Sequence, residues 1–227
     1  MLQVEDIHAS YGAGLVLHGV SLEVKEDEVV CLLGRNGVGK STTLKAIMGL
    51  VAKSAGTVTF RGENITRKRT DRIAKKGIGY VPEDRDIFVN LTVLENLKMA
   101  EIASHNPNRE KALQYFPILK HLLDQEGGSL SGGEQQMLAI ARAVTGGADL
   151  MLLDEPSEGL APVIREELSK VISELRKEVA ILLVEQNLHM TLDLADRINI
   201  MVNGAIAFEG TPQEMQEGKA IEKYLMI

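Results

Sequence analysis

Tryptophan is missing from this chain, and four Phe and four Tyr are its only aromatic residues among 227. That leaves little for base stacking along a single-stranded nucleic acid. Positive charge is not in excess either: 25 Lys and Arg face 32 Asp and Glu, for a net charge of −7. That balance argues against a dedicated nucleic-acid binder that works by neutralising phosphates. The lone cysteine, Cys31, cannot form an internal disulfide, which agrees with a reducing cytoplasm. No long hydrophobic run is present. The longest, Val179 to Val184, falls far short of the ~18 residues that a membrane helix needs. The first residues carry Glu5 and Asp6 and no basic region, so a secretory leader is not expected. Repeats, low-complexity tracts and long linkers are also missing.

What is present is a globular composition, with 44% hydrophobic and 25% charged residues. A chain of this length buries roughly 70% of its unfolded surface, enough to fold without staples. Strand-like and helix-like runs alternate. Leu2 to Ile7, Val20 to Val24 and Thr57 to Phe60 read as short strands. Val29 to Leu33 is continuously apolar, as a fully buried parallel strand is. It meets Gly34 and then a helix from about Gly39, where Leu44, Ile47 and Met48 share one face and Gly49 sits at the C-terminal cap. Two further buried strands, Leu150 to Leu153 and Ile181 to Val184, each end in carboxylates. Between the halves lies a helical stretch over roughly 84–147. Leu91 to Met99 opens it, and a last helix through Met137, Ile140, Ala141 and Val144 closes it at Gly146 and Gly147. The pattern is α/β with a helical insertion.

Gly34, Arg35, Asn36, Gly37, Val38, Gly39, Lys40 and Ser41 satisfy G-x-x-x-x-G-K-[ST], with Thr42 next in the helix. Glycines let backbone N–H groups curl round phosphates, and the helix N-terminus turns its positive end toward them. The dipole contributes only ~1 kcal/mol. Most of the charge compensation must therefore come from Lys40 and a magnesium ion held by Ser41. A strand before the motif and an amphipathic helix after it mark a nucleotide site rather than a glycine turn. Leu150 to Glu155 supplies a second half: Asp154 at a strand end can hold magnesium through water, and Glu155 can orient and deprotonate an attacking water. That pair points to ATP hydrolysis rather than nucleotide binding alone.

Leu130, Ser131, Gly132, Gly133, Glu134 and Gln135 open the helix that carries Met137. Free N–H groups there offer a second anion site, which one ATP cannot easily share with the first within a monomer. A plain helix cap, with Ser131 and Glu134 as a capping box, fits the same residues.

P-loop, Leu-Ser-Gly-Gly-Glu-Gln and the Asp154-Glu155 strand, in this order and spacing, resemble the ATPase subunit of an ATP-binding-cassette (ABC) transporter across essentially the whole chain. The resemblance implies an α/β P-loop NTPase (RecA-like) core with an antiparallel β subdomain and an α-helical signature subdomain. It places the core and β subdomain in 1–83 and 148–227 and the helical subdomain in 84–147. It also implies a head-to-tail dimer with a second ABC ATPase chain, identical or sister. Each signature, Leu130 to Glu134, would then act on the ATP of the partner's P-loop. Tyr11 would stack on adenine. Membrane permease subunits, and indirectly a solute-binding protein, are the implied partners, and the chain would lie on the cytoplasmic face of the membrane through them.

Three departures from the common pattern narrow the match. Glu83 stands where most members have a glutamine after Tyr-Val-Pro, Gln186 replaces the switch histidine, and Ala161 replaces the D-loop aspartate. With Gly133 to Ala141, these resemble the importer ATPases for branched-chain amino acids and the related amide and urea branch. Gln186 can donate an N–H to a γ-phosphate but cannot take up a proton as histidine can. It is thus expected to position, leaving Glu155 as the base, while Glu83 suits a magnesium ligand better than a phosphate contact. The short exporter ATPases for lipid or lipopolysaccharide share the signature but usually keep the histidine and glutamine. A small soluble cassette like that of iron–sulfur assembly is the other alternative. The segment from Glu95 to Pro117 looks short for the family, and the chain reaches Ile227 with little room for an appended regulatory domain. His189 reads as an ordinary helix residue, and Cys31 as a buried small hydrophobe. Arg67, Lys68, Arg69, Arg72, Lys75 and Lys76 read as a solvated helix face, with an anionic partner or lipid surface as the alternative.

Overall fold

The computed structural model describes residues 1–12, 14–104 and 106–225. Five parallel strands form its centre. β3 (Val29–Leu33), β6 (Ile78–Val81), β7 (Leu150–Asp154), β8 (Ala180–Glu185) and β9 (Arg197–Val202) run parallel. With β10 (Ala205–Gly210) antiparallel at one edge, they make a six-stranded sheet of order β10-β9-β3-β8-β7-β6. Both faces are covered, which is why β3, and β7 and β8 up to their terminal acids, read as unbroken apolar runs. Val30, Leu32, Leu152 and Leu182 enter one core, and Cys31, Leu33, Leu153 and Leu183 enter the other. Each such side chain contributes roughly 1.5–3 kcal/mol on burial.

The first core is closed by a second sheet of order β2-β1-β4-β5. In it, β1 (Leu2–Tyr11) pairs antiparallel with β2 (Gly14–Val24) and β4 (Lys53–Phe60), and β5 is Glu63–Asn64. β1 and β2 run longer than the expected 2–7 and 20–24, because hairpin pairing continues through half-exposed residues that carry no apolar alternation. Between the sheets lies α1 (Lys40–Ile47), with Gly49 in the left-handed conformation at φ 71° just past its end, as a C-terminal glycine should be.

The second core is closed by helices. α3 (Val93–Ala103), α4 (Arg109–Tyr115) and α5 (Gly132–Thr145) pack together, and α6 (Pro162–Leu175) and α7 (Leu188–Leu194) follow on the same side. A capping box at Thr92 and Glu95 starts α3. The expected helical stretch therefore begins about nine residues late: 84–92 is irregular, held by Asn96, whose amide donates to the carbonyls of Phe88, Leu91 and Thr92. α2 (Thr70–Ala74) has only five residues, so most of the basic stretch flanks a single turn and is not a helix face. Then come α8 (Pro212–Glu217), capped by Thr211 and Glu214, and a π-helical turn over Ile221–Leu225. No helix among the described residues is long and apolar enough to cross a membrane.

Candidate active site

Strand ends bring the chemistry together. The P-loop leaves β3 and enters α1 under tight steric rule. A Cβ on Gly34 would lie 2.6 Å from the Met201 carbonyl oxygen, and one on Gly39, at φ 111°, would lie 2.8 Å from a Leu17 methyl. Both positions therefore require glycine. Lys40, at 4% exposure, curls back so that its ammonium donates to the carbonyls of Gly34 (2.9 Å) and Arg35 (3.1 Å). Its third partner is Glu155, with Nζ and Oε1 3.0 Å apart. This is a buried ion pair with every ammonium proton used, the condition under which burial of charge is tolerable.

Glu155 stands one residue past β7 with φ 47°, a conformation uncommon for a residue with a side chain. Its N–H is fixed by the Val184 carbonyl at 2.9 Å, which aims the carboxylate back at Lys40. Its other oxygen accepts from Gln186 Nε2 at 2.7 Å, and the same amide donates to Asn36 Oδ1 on the P-loop. One glutamine thus ties the end of β8 to both the P-loop and Glu155. Next to this, Ser41 Oγ donates to Asp154 Oδ1 at 2.8 Å, and Tyr80 Oη donates to Oδ2 at 3.1 Å. Burial raises the Asp154 carboxyl, opposed by those two hydrogen bonds. Burial, and then the Asp154 charge, raise the Tyr80 phenol.

Lys40, Glu155, Gln186 and Asn36 form one network and Ser41, Asp154 and Tyr80 another, and the two adjoin along the chain at 40–41 and 154–155 as a single cluster. Tyr11 does not touch it. It is half-exposed at the turn end of the β1–β2 hairpin, paired with Gly14, and β2 residues Val16 and Leu17 lie against Gly39. Glu83 is exposed and lines, with Asp154, Tyr80, Met48, Leu50 and Arg142, an open cavity of about 1010 Å³ between β6, α3 and α5. Among the described residues, no hydrogen bond joins the signature to the P-loop cluster. Ser131 caps α5, accepting from the Glu134 N–H while Glu134 accepts from the Ser131 N–H, so the capping box is real. Gly133 has no room for a side chain, since its Cβ would sit 2.9 Å from Ile164.

Hard oxygen donors at Ser41 and Asp154, with Glu83 on the same cavity, have the chemistry that magnesium prefers. No group of three or more His, Cys, Asp or Glu that could hold a metal ion occurs among the described residues, so water and phosphate oxygens would have to complete any such shell.

Two features escaped the sequence reading. Glu185, fully buried at the end of β8, accepts from the N–H groups of Ser157, Gln186 and Asn187, each at 3.2 Å. It locks the loop after Glu155 to the loop bearing Gln186, and burial raises its pKa. The acid at the end of that apolar strand was visible, but its partners were not. Arg85, with φ 68°, sets its guanidinium on the side-chain oxygens of Gln135 (3.1 Å) and Gln136 (3.2 Å), just above Gly132. Arg142 reciprocates from α5, donating to the Asp86 carbonyl and lying 4.6 Å from the Phe88 ring centre. The loop that carries Glu83 is thereby pinned to the signature helix. Arg85→Ala is expected to lower kcat for ATP hydrolysis about tenfold with little change in KM, as loss of two charge-assisted bonds outside the nucleotide contacts would do. Arg85→Lys should not rescue, because an ammonium cannot serve both oxygens as a planar fork does. An unchanged kcat in steady-state assays of either variant would remove Arg85 from the mechanism.

His189 is an exposed helix residue paired with Asp193 at 2.8 Å, and Cys31 is buried with its thiol pushed far up by that burial.

A P-loop and an acidic strand end on a RecA-like parallel sheet, flanked by an antiparallel sheet and a helical arm, define a P-loop ATPase of the cassette type. The family model described as ABC transporter matches residues 17–158. The chain is 43% identical over 216 residues to the high-affinity branched-chain amino acid transport ATP-binding protein BraG of Pseudomonas aeruginosa, covering 93% of each. It is 38% identical over 235 residues to the probable branched-chain amino acid transport ATP-binding protein LivF of Archaeoglobus fulgidus, covering 100% of this chain and 98% of the relative. Its identity to the lipopolysaccharide export system ATP-binding protein LptB of Haemophilus influenzae is 36%, over 98% and 95%. A nucleotide-free ATP-binding cassette from an ABC transporter superposes with a TM-score of 0.88 at 28% identity, covering 99% and 97%. Another, in its ADP conformation, superposes at 0.86 and 29%, covering 100% and 97%. The chain belongs to the ABC transporter family as an ATP-binding subunit, an ATPase whose hydrolysis is coupled to transport.

Proposed function

We propose that this ATPase powers an importer of branched-chain or other hydrophobic amino acids, or of a related small amide. The observation that carries the solute class is the 43% identity to a branched-chain amino acid ATPase across 93% of both chains, against 36% for a lipopolysaccharide-export ATPase. Glu83 and Gln186 depart from the common pattern in the same direction.

In this reading the N–H groups of Gly34, Arg35, Asn36, Gly37, Val38, Gly39, Lys40, Ser41 and Thr42 cradle the phosphates of ATP, and Tyr11 stacks on adenine. Phosphate takes over the Lys40 ammonium from Glu155. That exchange frees a buried carboxylate to receive a proton from water at the γ-phosphate. Gln186 holds the Glu155 carboxylate in line and offers its amide N–H to phosphate. Magnesium would be held by Ser41, Asp154 and Glu83, and when bound would supply neutralisation of the phosphate charge. Leu130, Ser131, Gly132, Gly133 and Glu134 act on the ATP of a second cassette in a head-to-tail dimer. A signature detached from its own P-loop supports that arrangement.

We assign 84–147 as a helical arm that moves against the core and β subdomain, 1–83 and 148–227. The 1010 Å³ cavity between them suits a protruding segment of a membrane permease, which would hold the chain on the cytoplasmic face of the membrane. A solute-binding protein would deliver the cargo to that permease.

The test is gentle detergent extraction of the tagged chain from its native membranes. Two multi-span proteins should co-purify, with or without a second P-loop chain. The solute-binding protein of the same system should then bind a branched-chain amino acid or a small amide. Recovery only from the soluble fraction with non-membrane partners would refute the transporter assignment of this subunit, and a lipid-carrying permease would refute the solute.

A further inference from the structure

Six of the chain's 25 Lys and Arg fall within residues 67–76, against one of its 32 acids. In a protein of net charge −7, such a concentration is a pole. The turn of α2 gathers it at one place: Lys68, Arg72, Lys75 and Lys76 alone line an open pocket of about 480 Å³. Glu63, on β5, organises it. Its two carboxylate oxygens hold the ammonium groups of Lys68 (2.8 Å) and of Lys76 side by side. Arg72 is exposed, with its nearest acid, Asp71, 3.9 Å away. Lys75 is exposed and makes no ion pair among the described residues. Lys75 and Lys76 also line the 1010 Å³ cavity, with Thr70 and Ala74. The pocket is therefore the rim of that groove.

We propose that this basic rim binds the phosphate headgroups of the anionic cytoplasmic leaflet and so turns the groove toward the membrane. Four cations with no apolar neighbour in the lining give charge but no hydrophobic anchor. That suits a film of laterally mobile anions better than a folded peptide segment, which needs apolar burial to hold one register. The sparse aromatics leave a nucleic acid without stacking platforms. The remainder of the chain is more acidic than the whole and is repelled by the same surface, so attraction at one pole and repulsion elsewhere select a single orientation. The inference leans on the reading of the groove as membrane-facing for its consequence, whereas headgroup binding stands or falls by itself.

Flotation of the intact chain with phosphatidylcholine vesicles, with and without about 30% phosphatidylglycerol, tests it, and anionic vesicles should capture about tenfold more protein. Capture should fade as ionic strength rises and the Debye length shortens. The Lys68→Gln/Arg72→Glu variant should lose it while keeping wild-type ATPase activity, since neither side chain touches the P-loop cluster or lines the larger cavity. Equal capture by neutral vesicles, or undiminished capture of the variant, would overturn the proposal. Soluble glycerol phosphate at millimolar concentration should compete poorly; full competition would assign the site to a free phosphate compound and reject the leaflet. Binding to duplex DNA that is lost in the variant, without vesicle capture, would reject it too. Co-purification of permeases tests the groove separately, so failure of one reading is distinguishable from failure of the other.

Discussion

Glu155→Gln is expected to cut ATP turnover by ~10²-fold or more, the scale of losing a general base, while ATP binding survives. The geometry explains the separation. Both Glu155 oxygens are acceptors, one for Lys40 at 3.0 Å and one for Gln186 Nε2 at 2.7 Å. A glutamine keeps one carbonyl oxygen for Lys40 and turns its amide NH₂ toward Gln186. The clash of two donors is relieved if Gln186 flips, offering its own oxygen to residue 155, and Asn36 flips in turn. Three amides can thus rearrange without moving the backbone, so the fold and the phosphate cradle should persist. What is lost is the ability to accept a proton from water. Gln186 cannot substitute, having no basic nitrogen, and His189 is exposed and paired with Asp193, away from the cluster. With hydrolysis stopped and closure intact, an ATP-dependent dimer should accumulate on size exclusion. Wild-type turnover in the variant would place the base elsewhere.

Much of this site is legible in the sequence because its determinants are local. The P-loop is a run of consecutive residues, the capping box at Ser131 and Glu134 is an i, i+3 pair, and β3, β7 and β8 announce burial on both faces by unbroken apolar composition. The parts that escape reading are those fixed by contacts between distant segments. Glu185 accepts from Ser157, 28 positions earlier, Tyr80 reaches Asp154 across 74, and Arg85 meets Gln135 and Gln136 across 50 or more. No periodicity encodes such pairings. The same holds for β2, whose outer half is strand only because β1 supplies its hydrogen bonds. The basic stretch fails for another reason. Its residues have good helix propensity, but Gly77 and the demand that Ile78 begin a buried strand stop the helix after five residues.

Lys40→Ala should be the more damaging substitution, and in two separable ways. ATP affinity should fall beyond ~10²-fold, because the helix dipole that remains contributes only ~1 kcal/mol toward three closely spaced phosphates. Stability should fall as well, by about 3 kcal/mol, the usual consequence of removing one member of a buried ion pair. Lys40 and Glu155 are 4% and 7% exposed, so a lone Glu155 carboxylate cannot turn to water without undoing the left-handed turn that carries it. The Gln186 amide would remain as a donor to it, too little to replace the lost ammonium. The double variant Lys40→Ala/Glu155→Gln separates the two effects: it removes the orphaned charge and should recover most of the stability, yet recover none of the binding. Thermal melts of the two single variants and the double variant give the coupling between the residues, and calorimetric titration with ATP gives the affinity. A double variant no more stable than Lys40→Ala would mean that the pair is not held as a buried charge couple. Wild-type affinity in Lys40→Ala would mean that the loop from Gly34 to Ser41 does not bind the phosphates.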